Sequence, residues 1–192
     1  MQSRQNFYNL QSFSKLDLNN KKIGILGGSF NPPHEGHLKI SKEALKIGMD
    51  CVLWLVAKQN PLKAKYLFSM EERVSQACSI TYKIPHILVS NLELEIDSHN
   101  SYETICYLTE KFKNTSFYWL MGIDCLKEFH LWENYDIFCE KVNMIIFNRD
   151  SEEELFNTTK AGLLLKNKYE NNILFIKENL SNLSSTELRK KL

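Results

Sequence analysis

Glycine and proline are scarce in this chain, with 7 and 4 respectively among 192 residues, and neither is evenly scattered. Long hydrophobic runs are missing. The longest, Cys51 to Ala57, is far short of the roughly 20 residues that span a bilayer, so a soluble protein with no membrane partner is expected. No C-x-x-C pair occurs: the five cysteines (51, 78, 106, 125 and 139) form an odd, widely spaced set. That pattern excludes a disulfide framework and a cysteine zinc site, and reads as reduced intracellular thiols. Neither sign of charge is in excess. With 24 Lys plus Arg against 23 Asp plus Glu and a net charge of +1, general binding to nucleic acid is not expected. The first twenty residues lack the apolar core of a signal peptide, and their single Arg argues against a transit peptide. Residues 1–20 therefore read as an N-terminal extension, poorly ordered or surface-docked, ahead of a domain at 21–192. The cytoplasm is the default location. Arginine is scarce too, at 4 against 20 lysines, which draws attention to each planar fork suited to phosphate.

What is present is an ordinary globular composition, 43% hydrophobic and 24% charged, and a length that suits one domain. Apolar strand-like runs alternate with helical patterns. Strands are expected at 22–27, 51–56, 87–89, 117–121, 141–147 and 172–176. A helical spacing runs from His37 to Ile47 with Gly48 as its stop. A capping box, Ser69 with Glu72, opens a helix that reaches about Ile80, and another helix covers 103–113. The 51–56 run is apolar throughout, as a strand covered on both faces must be. This alternation predicts a single doubly wound α/β domain with a mainly parallel sheet flanked by helices. Ligands of such sheets sit beyond the carboxyl ends of the strands where strand order reverses. The loops after the first, second and fourth strands are thus the places to look.

Four of the glycines (Gly24, Gly27, Gly28, Gly36), two of the prolines (Pro32, Pro33) and two of the five histidines (His34, His37) lie between Gly24 and His37. Gly27 and Gly28 would let backbone amides approach a ligand, while Pro32 and Pro33 stiffen the turn. If a helix begins near Gly36, its unbonded N–H groups and positive dipole end face the same space as the two imidazoles. Imidazoles and helix-end amides together suit phosphate. The segment is neither a P-loop nor G-x-G-x-x-G, and it lacks the second glycine of a nucleophile elbow. A zinc site begun by the two histidines and a turn with incidental histidines are the competing readings. At the other end, Ser184 and Glu187 form a capping box whose helix would carry Ser185, Thr186 and Arg189 on its first turns. Those groups converge on an anion, or simply make an ordinary capped helix with a basic face.

The first segment, G-G-S-F-N-P-P-H-E-G-H, resembles the H-x-G-H motif of the nucleotidyltransferase α/β superfamily, and Ser184-Ser-Thr-Glu-Leu-Arg189 resembles its S-S-T-x-[IL]-R motif. Among short members the chain is similar to the nicotinate-nucleotide adenylyltransferases. Pro61-Leu-Lys63, Ser69 to Arg73, Ser101-Tyr102, Gly122-Ile-Asp124, and Leu126, Phe129 and Trp132 carry that likeness. The resemblance implies a Rossmann-like domain and adenylyl transfer from ATP to nicotinate mononucleotide, giving deamido-NAD and pyrophosphate without a covalent intermediate. It assigns His34, His37, Lys63 and Arg189 to catalysis. ATP binding falls to Gly27, Gly28, Ser29, Phe30, His34, Gly36, His37, Gly122, Asp124, Ser185, Thr186 and Arg189. Acceptor binding falls to Ser101, Tyr102 and Trp132. Mg²⁺ would be carried with ATP, with no dedicated protein metal site.

Several assignments stand beside plainer ones. Asp124 could accept from a ribose hydroxyl or cap a helix, Trp132 could stack on a pyridine ring or fill the core, and Arg73 is expected to pair within its own helix. The chain departs from the family in having Asn31 where Asp is usual, a small polar change. It departs again around Asp97 to Thr104, on the acceptor side. Adenylylation of phosphopantetheine, cytidylyl transfer to a phosphoalcohol, and a nucleotide-binding regulator without turnover are the other readings these motifs allow.

Overall fold

The computed structural model describes residues 6–58, 67–98, 100–148 and 154–177. Six strands form one sheet: β1 (Lys22–Gly28), β2 (Cys51–Val56), β3 (Ile87–Ser90), β4 (Ser116–Gly122), β5 (Asn143–Asn148) and β6 (Ile173–Lys177). Their order is β3-β2-β1-β4-β5-β6 and every pairing is parallel. The chain starts in the middle, works to one edge, and returns to build the other. The order reverses between β1 and β4, where a crevice opens beyond the strand ends.

Two cores follow from the period-2 alternation of the strands. On one face α2 (Glu35–Lys46) and α3 (Met70–Thr81) bring Leu38, Ala44, Val74 and Ala77 against Val52, Trp54 and Val56. On the other, α5 (Ser101–Lys111), α6 (Leu126–Phe129) and α8 (Lys160–Lys168) bring Ile105, Leu108, Phe129 and Leu165 against Ile25, Leu53 and Leu55. Because β2 contributes to both cores, its sequence is apolar without interruption. Sequence and structure agree on β2 residue for residue, and the doubly wound parallel reading holds. Ser69 and Glu72 make the expected capping box at the start of α3. The short helix α7 (Glu154–Thr158) and α8 fill the connection from β5 to β6, which sequence patterning left blank.

The N-terminal segment is docked on the sheet. The amide of Tyr8 donates to the carbonyl of Val89 at 2.9 Å and that of Val89 to the carbonyl of Asn6 at 2.8 Å, adding a parallel bridge outside β3. The short helix α1 (Leu10–Phe13) follows, and Phe13 and Leu18 belong to the same core as β1 and β4. Residues 6–18 thus pack onto the sheet edge and into the core beneath it. Six apolar residues in this stretch, Phe7, Tyr8, Leu10, Phe13, Leu16 and Leu18, pack in or against the cores, and the bridge covers an edge strand that would otherwise present unpaired backbone groups.

Candidate active site

The loop from β1 to α2 is shaped by contacts below it. An added Cβ on Gly27 would lie 2.4 Å from Cη2 of Trp119 on β4, so close packing of the central strands requires glycine here. Phe30 takes a left-handed φ of 45°, costly for a bulky residue. Its ring is held in place by stacking on Trp54 of β2, with centroids 4.7 Å apart and planes 11° from parallel. Asn31, wholly buried, accepts the amide of Phe68 through Oδ1 at 3.2 Å. The exchange of Asp for Asn thus falls on a residue that joins two loops. Arg73, also buried, donates to the carbonyls of Ser29 (2.8 Å) and Ala57 (2.9 Å), tying together the loops after β1 and β2. Within its own helix it also contacts the sulfur of Met70.

The two histidines are fixed by the helix they open. His34 is the N-cap of α2, and its Nδ1 accepts the amide of Gly36 at 3.1 Å. His37 reaches back, its Nδ1 accepting the amide of His34 at 3.1 Å. A ring nitrogen that accepts carries no proton, so both imidazoles in this arrangement are neutral with the proton on Nε2. The rings lie 3.8 Å apart, centroid to centroid, inclined by 36°. Two N–H donors side by side at a helix N-terminus, beside the switch point, form an anion-facing surface.

Across the crevice, β4 ends at Gly122 and a 3-10 turn, Ile123–Cys125. The Asp124 carboxylate folds back over Gly122, where a Cβ would meet its Oδ1 at 2.5 Å. The residues that precede this turn and α6, Gly122 and Cys125, make no side-chain cap of their own. A second cluster lies at the start of α5. Its N-cap Asn100 accepts the amide of Glu103 at 2.9 Å and donates to Glu133 at 3.0 Å. Tyr102 and Trp132 converge on Phe138, with centroids at 6.5 and 6.3 Å. Trp132 also meets Trp119 edge-on at 5.8 Å. Burial raises the Tyr102 phenol above its usual range, with Cys106 one turn along adding to the shift. Burial likewise raises the Glu93 carboxyl, against the bond it accepts from the Lys58 amide and the nearby Arg73 charge.

The structure thus gathers Gly27, Gly28, Ser29, Phe30, His34, Gly36 and His37 in one loop, Gly122 and Asp124 at the adjoining strand end, and Ser101, Tyr102 and Trp132 in the second cluster. Lys63, Ser185, Thr186 and Arg189 lie outside the described residues. Sequence reasoning passed over Trp54, Ser41 and the bridging role of Arg73. Ser41, a polar residue on the buried face of α2, was the one readable signal. Among the described residues, no group of three or more His, Cys, Asp or Glu could hold a metal ion, and no helix is long and apolar enough to cross a membrane.

A parallel sheet of this order, with paired imidazoles capping α2 at the switch point, defines an α/β nucleotidyltransferase. The chain belongs to the Cytidylyltransferase-like family, whose family model matches residues 25–191, and within it to the nicotinate-nucleotide adenylyltransferases. A probable nicotinate-nucleotide adenylyltransferase of Pelagibacter ubique is 37% identical over 180 residues, covering 92% of this chain and 97% of that protein. One from Cereibacter sphaeroides is 40% identical over 128 residues, covering 66% and 67%. Among solved structures, Plasmodium falciparum nicotinic acid mononucleotide adenylyltransferase complexed with NaAD superposes with a TM-score of 0.69 at 19% identity, covering 88% of this chain and 83% of that one. Its complex with APC gives 0.68 at 18% over the same shares. These two likenesses concern the fold.

Proposed function

We propose that this chain transfers the adenylyl group of MgATP to nicotinate mononucleotide, releasing deamido-NAD and pyrophosphate. The acceptor's phosphate oxygen forms the new bond to the α-phosphorus as the bond to the β-phosphate bridge breaks, and pyrophosphate carries away the electron pair. The nucleophile is already anionic at neutral pH, so no general base and no covalent intermediate are needed. The enzyme's work is alignment and charge stabilisation.

The observation that carries this reading is the pair of imidazoles 3.8 Å apart, each with Nδ1 accepting from a backbone amide, which leaves Nε2 as the ring donor. His34 and His37 donate from Nε2 to the α-phosphate oxygens as charge builds there. The amides at the start of α2 add to them, and Asp124 takes a ribose hydroxyl. Trp132 offers its face to the pyridine ring, with Ser101 and Tyr102 beside it. In the same reading Lys63 meets a phosphate, and Ser185, Thr186 and Arg189 hold the departing pyrophosphate. Mg²⁺ arrives on the triphosphate, whose oxygens are its principal ligands. The cytoplasm suits five cysteines that form no disulfide.

Purified protein should release pyrophosphate from MgATP when given nicotinate mononucleotide, and do so faster than with nicotinamide mononucleotide, phosphopantetheine or a phosphoalcohol. No release with any acceptor would overturn the enzymatic reading, and preference for another acceptor would overturn the substrate. Trp132→Ala should raise the KM for the acceptor and leave the KM for ATP near its original value. An equal rise in both would count against the stacking role.

A further inference from the structure

Beneath His37 lies a contact chain that the chemistry above does not use. Trp54 sits at the centre of β2, wholly buried, and its indole Nε1 donates to Oγ of Ser41 at 2.7 Å. Ser41, also wholly buried, donates in turn to the main-chain carbonyl of His37 at 2.8 Å. A serine bonded to the carbonyl four residues back is common within helices. Here, however, the hydroxyl is also locked from the other side by an indole on a central strand. The Trp54 face supports Phe30, whose ring lies 4.8 Å from the His37 imidazole, and Trp54 itself lies 5.7 Å from that imidazole. Strand, loop and helix therefore meet at one histidine, through two routes that begin at the same indole.

We propose that Trp54 and Ser41 are positioning residues for His37: the indole–hydroxyl–carbonyl relay pins the first turns of α2 to β2, and the indole face fixes the imidazole through Phe30. The inference rests on the proposed role of His37 in adenylyl transfer. Its physical content is narrower. The His37 Nδ1 bond to the His34 amide selects the tautomer with the proton on Nε2. That bond keeps its geometry only while the turn carrying both residues stays in register with the strand. Loss of the relay leaves a buried donor or acceptor unmatched and lets the turn shift by a fraction of an ångström. Such shifts are expensive in catalysis, since a misplacement of about 1 Å costs on the order of 100-fold.

The test uses Ser41→Ala and Trp54→Phe, the latter keeping a stacking face but losing the N–H, with Ser41→Thr as the conservative rescue. Each is assayed at a temperature where circular dichroism shows it folded. Both losses should lower kcat about tenfold, within the range set by a sub-ångström shift, with the KM for ATP almost unchanged. Ser41→Thr should restore kcat. Nitrogen-15 spectra of the His37 ring give a readout independent of activity: Ser41→Ala should move Nδ1 and Nε2 away from the single tautomer of the parent protein. An unmoved nitrogen signature, or a kcat equal to that of the parent protein in both loss variants, overturns the positioning role. His37→Ala, assayed alongside, separates this failure from that of the underlying reading, because only the latter predicts that His37→Ala keeps the parent rate.

Discussion

At the scale of single residues, protonation states decide what the site does. The His37 Nδ1 accepts the amide of His34, which leaves Nε2 as the ring donor, and a donor aimed at charge that develops only in the transition state is typically worth about 10²–10³ in rate. His37→Ala should therefore lower kcat/KM by about 10²-fold or more, measured as ATP-dependent pyrophosphate release. A variant within a few-fold of the parent would remove His37 from the chemistry. Asp50 shows the same logic applied to stability. Its carboxylate accepts the Lys22 amide at 2.8 Å and pairs with Lys21, and the amide bond first holds its pKa below the usual carboxylate value. A depressed pKa means that the folded state favours the charged form. The contribution is complete above the unfolded value and fades as pH falls through the folded one. Asp50→Asn should thus lower the urea midpoint at pH 7, and the gap to the parent should close on acidification below about pH 4. A gap that persists at low pH would show that the carboxylate charge is not what matters there.

At the scale of elements, small residues set how closely the central strands approach. The Trp119 ring fills the space where a Gly27 Cβ would sit and is itself wedged by Phe138 (5.3 Å) and Trp132 (5.8 Å). A rigid buried ring so enclosed has no easy direction of retreat. Gly27→Ala should accordingly cost about 1–3 kcal/mol by overpacking, read from urea unfolding. Gly28→Ala, whose Cβ would meet Phe30 at an ordinary 3.5 Å, should cost far less, and equal losses would refute the packing account. Such contacts also mark what could be read without a structure. Strand β2 was legible to the residue because an unbroken apolar run has one explanation. The start of α2 was read two residues late, since capping by a histidine ring leaves no Ser, Thr, Asp or Asn to read. The cluster from Gly27 to His37 was legible as the turn that carries β1 into a helix. Its dependence on Trp54, Arg73 and Trp119 was not, because those contacts join segments far apart in the chain and leave no local periodicity.

At the scale of the whole molecule, the stretch that composition set apart proves to be part of the core. Phe13 is 1% exposed and meets Phe112 edge-on at 5.6 Å, and the carbonyl of Leu18 accepts from Thr115 at 2.9 Å. The N-terminal segment therefore closes two features at once: the outer edge of β3, through the bridge of Phe7 to Val89, and the floor of the core beside α5 and β4. Phe13 and Leu18 belong to the core on the face opposite α2, so disturbing them should weaken the fold without reshaping the turn from β1 into α2. Phe13→Ala would leave a cavity enclosed by well-packed neighbours, where such truncations cost about 3–5 kcal/mol. The expected result is a lower urea midpoint with an unchanged m-value, together with near-parent kcat in the protein that remains folded. A loss below about 0.5 kcal/mol, the scale of ordinary surface substitutions, would mean that the segment is a peripheral strap. A large loss of kcat in folded protein would mean that the N-terminal packing reaches the site after all, through the Phe112–Phe117 contact and β4.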